Sequence, residues 1–230
     1  MINQFVRTAL LVPVCLIAFC FVSCSDDDDD DSSSVSTADD GYEVSGKISG
    51  HYYVDLGLSV KWADRNIGAL SSSDYGDYFA WGETETKDEY TESNSVTYGV
   101  EMDDIAGNAE YDAATANWGS KWRMPTEDEI EELSDKCSWV WTSRNGYNGY
   151  LVTGPNANSI FLSAAGYRCE TWLAHGGSRG YYLSSTPYDN GNAAYYVEYL
   201  DFDSRSHGVY VGLDDEIYRY HGRSVRPVTE

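Results

Sequence analysis

Six consecutive aspartates, Asp26 to Asp31, set the first limit on how this chain folds. Adjacent like charges repel and keep their hydration, so neither this run nor the polar stretch from Ser32 to Asp40 can enter a packed core. The globular part must come from the residues after Asp40, roughly 190 of them and enough for one ordinary domain. The run belongs to a wider imbalance of 38 Asp+Glu against 15 Lys+Arg, a formal charge of -23. Residues 24 to 40 hold eight of the acids and Arg7 one of the cations, which leaves 30 against 14, a net of -16, over residues 41 to 230. Such a surface repels phosphate backbones, and a nucleic-acid partner is excluded. Solubility and the attraction of cations such as Ca²⁺ both remain open readings of the charge.

Ahead of the aspartates, Arg7 precedes an apolar run from Ala9 to Val22, too short to span a bilayer comfortably. Residues 1–23 are expected to be a signal peptide. The sequence Phe21-Val22-Ser23-Cys24 resembles the bacterial lipobox, in which that cysteine is acylated, and residues 24–41 then form a lipidated acidic tether. An acidic run directly after the cysteine also resembles the surface-export signal of Bacteroidetes lipoproteins. The expected location is the outer membrane, held by lipid at Cys24 and facing outward; a periplasm-facing anchor and an ordinary cleaved signal are the alternatives. Cys15 and Cys20 leave with the signal, and Cys137 and Cys169 stay in the domain, either bridged or packed as thiols.

The domain, residues 42–230, reads as α+β. Aromatic residues make up 14% of the chain, with 20 Tyr and 7 Trp, which favours strands and irregular surface over long helices. His51 to Trp62 reads as two short strands around Gly57. Tyr75 to Gly82 alternates rings with small residues, as a strand with one bulky face does, and residues 83 to 104 form a polar excursion. Asp112 to Gly119 is a short helix ended by glycine. Thr126 with Glu129 is a capping box, after which Ile130, Leu133 and Cys137 fall on one helical stripe. Gly149 to Thr153 and Ser159 to Ser163 make a hairpin around Gly154-Pro-Asn-Ala-Asn158. Tyr182 to Thr186, Ala194 to Phe202, Val209 to Leu213 and Tyr218 to Val228 are further strand-like segments, and the first and last strands are expected to pair.

Six blocks carry a family resemblance: Tyr53 to Ala63, Tyr75 to Thr84, Trp122-Arg-Met-Pro-Thr126 with Glu129 and Leu133, Ala164 to Arg168, Gly180 to Thr186 and Gly222 to Val228. In this order they resemble the Fibrobacter succinogenes major paralogous domain, related to the C-type lectin-like fold of the formylglycine-generating enzyme and of retroelement-diversified variable proteins. The resemblance implies a C-type lectin-like domain with paired terminal strands, two helices and a loop-rich C-terminal half that forms the ligand face. Leu183 stands where the family usually has Trp. Formylglycine-generating enzymes use a close cysteine pair in their C-terminal part, where this chain has Cys169 alone, so that chemistry does not carry over.

Catalytic constellations are scarce. Ser184 and Ser185 lie outside any Gly-x-Ser-x-Gly elbow, and His51, His175, His207 and His221 lack metal-ligand spacing. Sugar-binding C-type lectins carry Glu-Pro-Asn or Gln-Pro-Asp followed by Trp-Asn-Asp; Gly154-Pro-Asn156 and Asp189-Asn190 do not supply this. Asp214-Asp215-Glu216 is the remaining candidate for a hard cation, and no metal or cofactor is assigned. Tyr181 to His221, by contrast, interleaves nine tyrosines with Asn, Asp, Ser, Gly, Arg and His, a composition suited to recognition surfaces. It also resembles the hypervariable region of diversified receptors. The expected ligand-binding residues are Tyr182, Tyr188, Asp189, Asn190, Asn192, Arg205, His207, Tyr210 and Tyr218. The expectation is a non-catalytic adhesin or receptor for an extracellular protein or glycan, with a structural envelope module and an enzyme of unrecognised centre as alternatives.

Overall fold

The computed structural model describes residues 36–38, 41, 43–188, 193–210 and 218–230. Cys24 lies outside these residues. A short ribbon pairs β1 (Ser36–Thr37) with β2 (Glu43–Val44), and β3 (Gly46–Ile48), β4 (His51–Val54) and β5 (Lys61–Ala63) form an antiparallel meander. The helices α1 (Ala113–Trp118) and α2 (Glu127–Lys136) precede a second meander of β6 (Ser138–Arg144), β7 (Tyr147–Thr153) and β8 (Ser159–Ser163). A hairpin of β9 (Tyr167–Cys169) and β10 (Trp172–Ala174) leads to a third sheet, β11 (Arg179–Pro187), β12 (Val197–Asp203) and β13 (His207–Tyr210). Finally β14 (Val228–Thr229) returns to β5, pairing Val228 with Trp62, so that the end of the domain joins its first sheet. The molecule is thus a mixed α/β structure of small, mostly antiparallel sheets with two helices. Among the described residues no helix is long and apolar enough to cross a membrane.

The sheet β11-β12-β13 divides the interior in two. Alternate residues of a strand point to opposite faces; Tyr182, Leu200 and Phe202 enter one core with Leu56, Trp62, Ile130, Leu133, Val152 and Ile160. Tyr181, Leu183, Val197 and Tyr199 enter the other with Phe79, Trp81, Trp118 and Trp122. A polar strand with one solvated face would not serve here, which is why β11 and β12 are buried on both sides.

Each helix is fixed by its first turn. Asp112, fully buried, caps α1 by accepting the Ala114 and Thr115 amides (2.8 and 3.1 Å), and it also accepts those of Gly107 and Met124. Gly119, with φ of 91°, ends α1. At α2 the Thr126 hydroxyl accepts the Glu129 amide while the Glu129 carboxylate accepts the Thr126 amide (3.3 and 2.9 Å), and Arg123 grips the same carboxylate through two nitrogens. Arg226 locks the return of the chain end: its guanidinium donates to Ala63 O, Asp64 O, Phe161 O and Asn66 Oδ1, at 2.8 to 3.1 Å.

Several expectations need correction. Tyr75 to Gly82 is not a strand with one bulky face: Phe79 and Trp81 enter the second core while Tyr78 and Ala80 pack in a third cluster, and pairing is limited to Phe79 with Arg223. Tyr218 to Val228 likewise pairs through single positions before β14, because Arg219, Arg223 and Arg226 are each turned inward. Ser138–Arg144 is a strand that the local sequence pattern does not reveal. Its Trp139 and Trp141 pack on the first core, but Val140 points to solvent, so the apolar run hides the alternation. Within residues 24–41 the described part pairs Ser36–Thr37 with Glu43–Val44 and buries Ala38 in the first core. Cys137 and Cys169 are free, each packed against a different core.

Candidate functional site

The expected ligand residues do not form one surface. Tyr182 is a core side chain whose hydroxyl donates to Ser163 O (2.8 Å) and whose ring stacks near Phe202. Tyr188 is buried too, edge-on to Tyr196. Burial corrects both as surface contacts: the alternation that made Tyr182 visible as a strand residue also turned it inward. Arg205 is exposed in the turn after β12, bonded to Asp203 (3.0 Å). His207 stacks on Trp139 (4.3 Å, 13°), and the water lost there lowers its pKa. These two lie at the far end of β12 from Tyr196, about 20 Å away at strand rise. The backbone of Tyr210 pairs with Tyr199. Asp189, Asn190, Asn192 and Asp214-Asp215-Glu216 lie outside the described residues. Of the expected set, the structure joins Tyr188 and Tyr218, through Tyr196.

Around Tyr218 a larger aromatic cluster assembles. Tyr98 meets Tyr195, Tyr220 and Tyr218 edge to face at 5.1, 5.0 and 6.0 Å. Tyr218 stacks against Tyr220 and Tyr196, each at 5.3 Å. Three distant segments meet here: the Gly99 amide donates to Ala194 O (2.8 Å), and the Arg219 amide to Tyr195 O (3.0 Å). Gly99 has a φ of 83°, a turn that suits glycine and sets Tyr98 and Val100 on either side of it. Tyr195 is 43% exposed, Val96 71% and Val100 47%, so the cluster opens to solvent. On the adjoining hairpin, tied in by pairs Arg168 with Gly222 and Tyr90 with Glu170, Trp172 and Leu173 are exposed as well. Isolated exposed apolar residues are ordinary, but Val96, Val100 and Tyr195 come from two segments joined beside one cluster by the Gly99 to Ala194 hydrogen bond. Composition pointed to Tyr195, Tyr196 and Tyr220 within the tyrosine-rich segment. Tyr98, Val96 and Val100 were missed, because they sit in the excursion whose polarity concealed them.

Beneath the cluster lies Arg219, fully buried. Its guanidinium stacks on the Trp81 ring (3.9 Å) and donates to Val100 O (2.9 Å), Thr97 O (3.4 Å) and Tyr196 O (3.3 Å). Nη2 has no partner, and burial lowers the pKa to about 10. The residue therefore stays charged at neutral pH and clamps the Val96–Val100 loop to the start of β12. The Tyr98 and Tyr220 hydroxyls are pushed up to about 12, first by burial, so both remain hydrogen-bond donors.

A second feature lies where β12 meets α2. Glu198 is 5% exposed, its Oε2 has no hydrogen bond, and burial, reinforced by Glu127 and Glu131, raises its pKa to about 7. Its neighbours Ser184 and Ser185 are buried and bonded to Glu198 O and Asp104. The outer face of α2 borders an open cleft of about 380 Å³ lined by Ser59, Asp128, Glu131, Glu132, Asp135 and Lys136. Among the described residues no group of three His, Cys, Asp or Glu side chains is placed to hold a metal ion. Comparison with known protein families, with curated proteins and with solved structures found no match to this chain.

Proposed function

We propose that the domain is a non-catalytic binding module of C-type lectin-like fold, carried by a lipid anchor at Cys24 on the outer face of the outer membrane. Its ligand, an extracellular protein or glycan, is taken on the surface of Tyr98, Tyr195, Tyr196, Tyr218 and Tyr220. The fold assignment is supported by β14 returning to β5 and by two helices placed ahead of a C-terminal half rich in turns. The observation that carries the binding reading is the clamped aromatic cluster with exposed Val96, Val100 and Tyr195 at its rim. Rings already packed on one another give up little conformational freedom on binding, and their hydroxyls fix orientation.

The test is binding of the full chain to arrays of glycans and of host and bacterial surface proteins, with and without calcium, beside a Val96→Ser/Tyr195→Ser variant. Both positions are open to solvent, so the variant is expected to keep the wild-type melting temperature and to lose the ligand at least tenfold, as truncation of interface anchors does, roughly. Binding that survives the change refutes the assignment of this surface. A purely structural envelope module is the second reading, favoured by Trp62, Trp81, Trp118 and Trp122 all lying in the cores.

A further inference from the structure

The way the tyrosine rings lie bears on what they bind. A sugar docks on an aromatic side chain by laying an apolar face of its ring against an open ring face. Here those faces are occupied by neighbours: Tyr218 lies between Tyr196 and Tyr220, with interplanar angles of 26° and 9°. Tyr98 meets three rings at 72 to 77°, and His221 closes on Tyr220 at 4.6 Å. Beside these packed rings the surface offers the aliphatic Val96 and Val100 and the partly exposed Tyr195.

Exposed carboxylates stand around the cluster. Exposed Glu92 belongs to the turn that holds Tyr98, with Ser95 N donating to Glu92 O (3.4 Å) and Tyr98 N to Ser95 Oγ (3.3 Å); exposed Glu170 pairs with Tyr90 on the hairpin bridged to Gly222, and Glu101 is exposed directly after Val100. The nearest lysine in the excursion, Lys87, is engaged by Glu83 at 2.7 Å and by Asn94. Arg168 lies over the Tyr78 ring, and Arg219 is buried beneath the cluster. An apolar centre inside a carboxylate rim is the complement of an apolar centre inside a cationic rim.

Resting on the reading of this surface as the binding face, we infer that its partner is a polypeptide presenting lysine or arginine side chains around an apolar or aromatic centre. The centre supplies affinity by excluding water from Val96, Val100 and Tyr195. The rim sets orientation and speeds encounter, and its contribution falls with salt.

Selection of a random peptide library against the full chain at near-physiological salt tests this. Peptides rich in Lys and Arg beside aromatic or aliphatic residues are expected, and Glu92→Gln/Glu101→Gln should weaken them by about three- to tenfold, the value of two exposed ion pairs. The triple change Asp128→Asn/Glu131→Gln/Asp135→Asn on α2 should leave them unaffected. Equal weakening by the α2 variant would mean unspecific charge attraction and would overturn the inference. So would selected peptides without surplus basic residues, an empty selection, or a neutral glycan captured on this face. Peptides sensitive to Tyr195→Ser but not to the glutamate changes sink the charge inference alone, whereas peptides insensitive to Tyr195→Ser remove the binding face itself.

Discussion

Replacing Glu198 with glutamine should stabilise the protein at pH 8 and leave it almost unchanged at pH 5. The carboxyl has a pKa of about 7 in the folded chain against an ordinary 4.5, because it is buried on the α2 side of β12 and faces Glu127 and Glu131. A raised folded-state pKa means that the folded form holds the proton more tightly than the unfolded one. Stability linked to that proton is fully present below about pH 4.5 and is lost as pH rises through 7. Each pKa unit corresponds to about 1.4 kcal/mol, so full ionisation costs roughly 3 kcal/mol, reduced to roughly 2 if α2 relaxes away from the charge. The neutral amide avoids that cost above pH 7 and replaces a neutral acid below it. Denaturant unfolding at pH 5, 6, 7 and 8, followed by the fluorescence of the core tryptophans, measures the difference. A variant whose stability stays parallel to wild type across the range, or falls below it at pH 8, would show that Glu198 is not the buried proton site described.

Asp112→Ala should cost roughly 3 kcal/mol in the same assay, since it removes the α1 cap and strands buried amides of Gly107 and Met124; a loss under about 1 kcal/mol would refute that role. Gly166→Ala places a methyl about 2.0 Å from Ala174 O at a φ of 67° and should abolish folding. The matched change Gly107→Ala, at a φ of 75° but with nothing within 4 Å, should cost only the backbone term of about 1 kcal/mol. Reductant should leave the melting temperature unchanged, and peptides holding Cys137 and Cys169 should be recovered alkylated without prior reduction. Burial pushes the Cys137 thiol up to about 11, so in the native protein it should react slowly at pH 8.

The elements most legible in the sequence are those fixed by neighbouring residues. The Thr126/Glu129 box, the Asp112 and Gly119 ends of α1, and the Gly154–Asn158 turn each obey rules that act within a few residues, and each forms where those rules place it. Features set by distant contacts were less legible. Trp139 and Trp141 look like a tail after a helix until β7 provides the partner, and exposed Val140 masks their period of two. Tyr75 to Trp81 was half legible: the rings announce an extended segment, but not that both of its faces are covered. For the tyrosine surface, composition marked the right half of the chain, but β11 and β12 are covered on both faces and their rings are buried, while the exposed Tyr195 lies just ahead of β12. Tyr182 went in, Tyr195 went out, and Tyr98 came from far away in the sequence, a placement that no local pattern encodes.

The Arg219 clamp has a consequence for when the tyrosine surface comes into being. Its carbonyl partners belong to residues 97, 100 and 196, so the surface depends on loops closed over long stretches of chain. Such contacts form late, after the entropy of bringing distant segments together has been overcome by the cores that hold them. Until Arg219 reaches Trp81, the valines of the 96–100 loop and the tyrosines of the C-terminal half are separate sticky segments with no common face. On the proposed reading, a partly folded chain would lack the common face, and ligand binding would report the completed fold.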